Sequence, residues 1–427
     1  AFHAFGVIRG IGLSNDGRRK GLLAPATEGQ VDAMRRGLEC SGIDPHTIQY
    51  VECHATGTAV GDSVEVSSVS SVYKDVEHLS LGSLKANTGH LITVAGLASV
   101  LKLTGAMAEE RIPPTPLDGQ LLDPLQDSGL DVPTTPSNWE TSAAPRRAAI
   151  SNFGFGGNNA HLILEEYRPS TRKGRSRTIK TSPAPDIVIC AASLMSGSDC
   201  TTDSVLRRLM NHPLTRPEKL EEIGANAVDA RSPPKDLAQA EPQQLAILST
   251  VSEALSRVGS FEAEETGVFA GMACAADSAR WALRERATAN PAQSADDIAP
   301  KLDSAAVLGA MANMTANRIT FAQDIRGMGF SVSAGPASGL AALDLAIDAL
   351  ISGRLSTAIV AAADFATRIE GRAGGRIKAM FAPDRIETCT PNLVRRTAEL
   401  AREMGAPVRQ HCLQSEIELR LVKDQHG

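Results

Sequence analysis

Over the first 167 residues, short apolar runs alternate with segments of helical periodicity, and several of the runs break into a polar, glycine-containing turn. That alternation confines the segment to an α/β architecture, because runs this short bury both faces only in a sheet covered by helices. Ala4–Arg9 reads as a strand, and Gln30–Cys40 as an amphipathic helix ending near Gly42. Ile48–Cys53 is a short strand entering a Thr/Gly-rich turn, and Val94–Ala108 is a mostly apolar helix. After a proline-rich loop at Arg111–Pro116, Ala148–Asn152 reads as a strand meeting a glycine-rich turn, and His161–Glu165 as the next strand.

Residues 168–185 are basic, rich in Ser, Thr and Pro, and without apolar periodicity, which predicts an exposed linker. A second α/β unit is expected over residues 186–370, starting at Ile187–Cys190. It contains a helix at Gln243–Val258, a strand at Thr266–Ala270, a helix at Leu340–Ile351 closed by Gly353, and a strand at Thr357–Ala363. The Leu340 helix is apolar on nearly every side apart from Asp344 and Asp348, so it is expected to be buried. Residues 371–427 read as one helix–strand–helix fragment, with Thr390–Pro391 as a helix start, Pro407–Cys412 as a strand and Ser415–Lys423 as a helix.

Composition removes several function classes. A net charge of −6 gives no electrostatic footprint for nucleic acid and no polybasic membrane anchor. No apolar run approaches the roughly 20 residues of a membrane span. Seven cysteines, an odd number with no C-x-x-C pair, argue against a disulfide framework or a zinc knuckle and point to a reducing cytoplasm. The amino terminus has no signal-peptide pattern, and the chain opens without Met in what reads as a strand, so it is expected to begin inside a larger protein.

Three motifs in the first unit carry chemistry: His54-Ala55-Thr56-Gly57-Thr58 followed by Gly61-Asp62 and Glu65; Lys85-Ala86-Asn87-Thr88-Gly89-His90; and Asn152 to His161, reading NFGFGGNNAH. Each places polar groups at a strand end beside a tight turn, where α/β sheets hold ligands. Two histidines from separate loops can converge on one carbonyl oxygen and donate N–H bonds to an oxyanion or enolate. Such preorganised donors supply about 2.7–4 kcal/mol each in the best-studied case. A nearby lysine can tune their protonation or hold a carboxylate. Gly156–Gly157 allow a backbone N–H to approach a reacting atom. Taken singly, a histidine at a strand end is usually a hydrogen-bonded surface residue; the three motifs in this order are what point to a site.

These motifs resemble the late signatures of the β-ketoacyl synthase family: H-G-T-G-T with Ala55 in place of the first Gly, K-x-N-x-G-H, and G-F-G-G-T-N-A-H with Asn158 in place of Thr. The stretches GVIRGIGLSNDGR and GLLAPATEGQ also fit, so the resemblance covers Phe5 to Glu166. It implies a thiolase-like layered sandwich of mixed sheets between helices. It further implies decarboxylative condensation of malonyl and acyl thioesters in fatty acid or polyketide synthesis. His54 and His90 would hold the malonyl thioester carbonyl and stabilise the enolate, with Lys85 and Glu65 in support. Thr56 and Thr58 would contact the phosphopantetheine arm of an acyl carrier protein, the substrates being carried on that arm with no other cofactor and no metal. The Phe155 N–H would supply half of an oxyanion hole, and Phe153 would gate the pocket. Ala55 fits only if the backbone there needs no positive φ.

The family's nucleophilic cysteine lies on a strand-to-helix elbow in its amino-terminal half. The second unit resembles that half, most clearly in VSAGPASGLAALDLAIDALISGRLSTAIVAAADF, but Pro336 occupies the nucleophile position. Ser338 is nearby, with no base in view. A synthase-like unit without its cysteine resembles a chain-length factor, the partner of an active ketosynthase, and implies a dimer of that kind. The alternative to a catalytic reading is therefore a non-catalytic chain-length-factor-like scaffold. One carboxy-terminal half and one amino-terminal half are expected to pack into a single sandwich. The tail, residues 371–427, resembles a fragment of the amidohydrolase superfamily with His411 at a metal-ligand position, but no H-x-H pair accompanies it.

Overall fold

The computed structural model describes residues 4–168, 187–211, 232–272 and 301–363, with Trp281, Arg284 and Glu285, apart from positions 20, 118, 120, 123–124, 126–129, 142–143, 196–200 and 336. Most of the expected linker, Pro336, and the whole 371–427 segment with His411 lie outside the described residues.

The first unit runs β1 (Gly6–Asn15), α1 (Thr27–Ser41), β2 (Tyr50–Glu52), α2 (Ala59–Val72), β3 (Ser80–Gly82), α3 (Lys85–Thr88), α4 (Ala95–Ala108), β4 (Arg111–Ile112), β5 (Ser137–Asn138), β6 (Arg147–Phe153) and β7 (Asn158–Glu166). Five strands form one mixed sheet in the order β1-β7-β6-β2-β3. β7 is antiparallel to both β1 and β6, while β2 is parallel to β6 and β3. The period-2 alternation of the strands sorts their side chains to two cores. Val51, Ala149 and Ile163 face Met34 of α1 and Val66, Val69 and Tyr73. Tyr50, Ala148, Ile150 and Leu164 face Leu103 and Met107 of α4, with Trp139. The sheet is thus covered on both sides.

Glycine sets the closest layer contact. A Cβ on Gly12 of β1 would lie 2.0 Å from the Ala33 carbonyl oxygen and 2.2 Å from the Gly37 nitrogen of α1, so only a bare backbone lets helix and strand approach this far. α1 ends where the sequence predicts, at Gly42 with φ 62°, its N–H bonded back to the Leu38 and Glu39 carbonyls.

The second unit runs α5 (Thr202–Asn211), α6 (Pro234–Gln239), α7 (Pro242–Leu255), β8 (Thr266–Met272), α8 (Ser304–Ala310), α9 (Met314–Gln323), β9 (Gly329–Val332), α10 (Ser338–Ile351) and β10 (Thr357–Ala363). Its three strands are parallel, in the order β10-β8-β9. α7 and α9 cover one face through Ile247, Leu248, Val251, Ala316 and Ile319, and α10 covers the other through Ala342, Ala346 and Ala349.

One expectation for this unit is corrected. α10 is not buried all round: it turns its alanines to the sheet and leaves Leu340 at 73% exposure, with Leu343 and Leu345 partly exposed as well. The small residues are what allow close approach, since a Cβ on Gly271 of β8 would meet the Ser338 carbonyl at 2.6 Å. Ile187–Cys190, where the unit opens, has no strand partner among the described residues, and Ile189 is 86% exposed.

The two units pack against each other, as the sandwich expectation requires. Asn15 N–H donates to the Arg326 carbonyl at 3.1 Å, and Arg18 N–H to Asp324 Oδ1 at 2.9 Å. The Arg18 guanidinium reaches the Phe321 and Ala322 carbonyls at the end of α9. Leu13 of β1 packs against the core beneath α10.

Candidate active site

β2 ends at Glu52, and Cys53 and His54 continue from it into the turn before α2. The side chain of Glu65, buried on α2, reaches back and accepts N–H bonds from His54 and Ala55, both at 2.7 Å. Asp62, in the first turn of α2, accepts from Thr56 and Gly57, both at 3.1 Å. The turn is therefore held by two carboxylates of α2, of which Asp62 lies in the helix's first turn. Among the described residues the non-glycine positions with positive φ are Ile92, Glu110 and Asp324; Ala55 is not one of them, so the backbone condition for alanine is met. Burial pushes the Glu65 carboxyl up to about 7 against the pull of its two N–H donors.

His54 and His90 come together. Their ring centroids are 5.4 Å apart with the planes at 80°, an edge-to-face arrangement. Phe153, at the end of β6, places its ring 6.1 Å from that of His54 and is itself nearly buried. Burial, with the charges of Lys85 and His90, pushes His54 down to about 4, so its ring is neutral at neutral pH. His90 is also shifted down, by desolvation and then by Lys85.

The tautomer of His90 follows from the backbone. Ile92 N–H donates to His90 Nδ1 at 3.0 Å, which leaves Nε2 as the protonated nitrogen of the neutral ring. Ile92 does this from φ 52°, an unfavourable conformation for a β-branched residue. His54 Nδ1 is closed off from solvent with no hydrogen-bond partner among the described residues.

Lys85 is the first residue of α3 and is half-buried. Desolvation lowers its pKa, opposed by the carboxylates of Glu65 and Glu52. Thr56 and Thr58 are exposed at the rim, their hydroxyls 3.4 Å apart. The Phe155 side chain is 64% exposed, and its carbonyl is gripped from the second unit by Asn313 Nδ2 at 3.1 Å and Asn317 Nδ2 at 2.7 Å.

The third histidine of the motifs is not at the site. His161 is fully buried between Tyr73 OH at 2.8 Å and Ser151 Oγ at 3.0 Å, and burial pushes it down to about 3. Ser338, the first residue of α10, is occupied structurally: its hydroxyl accepts from Ala334 N–H and donates to the Gly335 and Met272 carbonyls. Cys53 adjoins His54, but its thiol is buried and held protonated, by desolvation first and then by the Glu65 and Glu52 charges.

Sequence reasoning missed three supports. Ile92 acts through a backbone angle that no sequence pattern encodes. Asp62 sits in the quoted motif without a role. Asp16 accepts from Ala26 N–H at 3.2 Å and Asn159 Nδ2 at 2.8 Å, bracing the glycine-rich loop beside Gly157; the GLSNDGR stretch held that signal. Among the described residues no cluster of three or more His, Cys, Asp or Glu is arranged to hold a metal, and no helix is long and apolar enough to cross a membrane.

A layered α/β protein, with paired imidazoles on loops at the strand ends of a mixed sheet, is the class that fold and site define. Models of the β-ketoacyl synthase C-terminal domain match residues 5–117, of the ketoacyl-synthetase C-terminal extension residues 120–229, and of the β-ketoacyl synthase N-terminal domain residues 194–393. The chain belongs to the β-ketoacyl synthase family, with its carboxy-terminal domain preceding an amino-terminal one. It is 34% identical over 223 residues to the hybrid PKS-NRPS synthetase pynA of Aspergillus niger, covering 49% of this chain and 6% of that protein. It is 40% identical over 172 residues to the hybrid PKS-NRPS synthetase pytA of Aspergillus terreus, covering 39% of this chain and 26% of that one. The chain thus spans only a small part of the curated relatives it matches. A solved structure described as PfaC keto synthase–chain length factor superposes with a TM-score of 0.70 at 27% identity, covering 85% of this chain and 44% of that one. Coverage that wide takes in both units.

Proposed function

We propose that this chain carries the decarboxylation half of a β-ketoacyl synthase site, acting on a malonyl thioester borne by the phosphopantetheine arm of an acyl carrier protein in the cytoplasm. The observation that carries the reading is the edge-to-face pair His54–His90 with centroids 5.4 Å apart. Each neutral ring donates one N–H to the thioester carbonyl oxygen. The bond from the α-carbon to the carboxylate breaks, carbon dioxide leaves, and the electron pair passes onto that oxygen as an enolate. Protonation at carbon then gives the acetyl thioester. Lys85 favours neutral imidazoles by its charge, Thr56 and Thr58 stand at the rim where the arm enters, Phe153 lines the pocket, and the Phe155 N–H has an oxyanion to serve only when a cysteine-bound acyl group is present.

Condensation needs a thiolate to hold the acyl chain. Pro336 stands at that position of the second unit and Cys53 is a buried thiol, so condensation falls to a cysteine-bearing ketosynthase partner in a dimer. Pro336 also favours a second reading, a non-catalytic chain-length-factor-like scaffold. Incubation with malonyl-carrier protein, following acetyl-carrier protein by mass, separates the two. The catalytic reading expects release well above a His54→Ala/His90→Ala variant; equal rates leave only the scaffold.

A further inference from the structure

Glu52 is an acid at the centre of a core. It lies on β2 two residues before His54, its side chain is 0% exposed, and so far it has entered only as a charge felt by Lys85 and Cys53. Its carboxylate meets the Lys102 ammonium of α4 at 2.6 Å, and Lys102 also donates to Tyr50 OH at 3.0 Å. Its other oxygen, Oε1, accepts the Leu84 N–H at 2.5 Å.

Burying an ion pair is a poor way to gain stability, since desolvation offsets most of the attraction, and an apolar pair of similar volume is often as stable or more so. The placement of the partners suggests a different use. β2 leads into His54. Leu84 immediately precedes Lys85. α4 is the helix into which the His90 loop runs. One carboxylate is therefore bonded to all three segments that deliver the site's ionisable groups. Ser83 strengthens the same junction: its hydroxyl donates to the Ala55 carbonyl at 3.3 Å, and its N–H donates to Thr115 Oγ1 at 3.2 Å.

We infer that Glu52 and Lys102 are positioning residues, a buried ion pair that holds the His54, Lys85 and His90 segments in register so that both imidazoles reach one oxygen. The inference rests on the decarboxylase reading above. A misplacement of about 1 Å in such a constellation costs on the order of 100-fold in rate.

Three variants of the full chain test it. Glu52→Leu/Lys102→Met replaces the pair by apolar groups and removes the acceptor for Leu84. It is expected to melt at or above the parent temperature yet lose about 10- to 100-fold in kcat for malonyl decarboxylation, with KM changed less than about twofold. Glu52→Gln/Lys102→Met restores a neutral acceptor for Leu84 and is expected to recover most of kcat. Leu103→Ala, a cavity in the same core, is expected to lower the melting temperature and leave kcat within about twofold. Parent kcat in the apolar double variant, or an equal kcat loss in Leu103→Ala, overturns the proposal. Should the parent itself release no acetyl thioester, the decarboxylase reading fails separately. Imidazole NMR of 15N-His protein then decides: positioning requires the His54 and His90 signals to move in Glu52→Leu/Lys102→Met while His161 stays, and unmoved signals overturn it.

Discussion

Replacing Glu65 by Gln should give a stability change whose size depends on pH in a defined direction. The carboxyl accepts two backbone N–H groups at 2.7 Å; the amide of Gln offers one oxygen and turns an NH2 toward the other donor. One buried donor is left unsatisfied, at a cost of about 1–3 kcal/mol. That cost applies in full at pH 5. Burial raises the parent carboxyl from its ordinary 4.5 to about 7, so the folded state binds a proton that the unfolded state has released. The parent's advantage is complete below pH 4.5 and is lost as pH rises through 7, a loss on the order of 3 kcal/mol. Gln does not titrate. The parent-minus-variant difference should therefore fall by on the order of 3 kcal/mol between pH 5 and pH 8.5, reaching zero or reversing. Urea unfolding at each pH measures it, read from Trp139 after Trp281→Phe leaves that indole as the sole tryptophan of the chain. His54, His161 and Asp16 titrate in both proteins and cancel in the difference. A difference that stays flat across this window would refute the claim that burial, and not the two donors, dominates at Glu65.

Three further outcomes are expected. In Gly82→Ala the new methyl would sit 1.8 Å from the Tyr50 hydroxyl, and the protein should lose about 1–3 kcal/mol in urea unfolding, part of which Tyr50→Phe should restore. Asn317→Ala removes the 2.7 Å bond to the Phe155 carbonyl, and thermal unfolding should report a loss of about 1–3 kcal/mol together with faster protease cleavage at the glycine-rich loop. His161, held down to about 3 against an ordinary 6.5, lends stability that is present above pH 6.5 and lost as pH falls toward 3. His161→Gln should flatten that acid loss, on the order of 5 kcal/mol, in an acid titration followed by circular dichroism.

The first unit was legible because its strands are punctuated: each chemically loaded motif sits where an apolar run gives way to a turn, so order and spacing survive in the sequence. The meeting of His54 with His90 was legible only through resemblance, since the motifs are separated by β3 and their convergence is a property of sheet order. His161 was ambiguous because its core partners, Tyr73 and Ser151, lie on other elements. The exposure of Leu340 was missed because a helix apolar on every side leaves its orientation to packing, and Gly271 and the alanines decide that through fit, not hydrophobicity.

The hold of Asn313 and Asn317 on the Phe155 carbonyl has a practical corollary. A fragment cut at the end of β7 would contain every side chain of the candidate site and still be a different object, because the curl of its glycine-rich loop is borrowed from amides more than 150 positions downstream. Ownership of the residues and ownership of their geometry are divided between the two units.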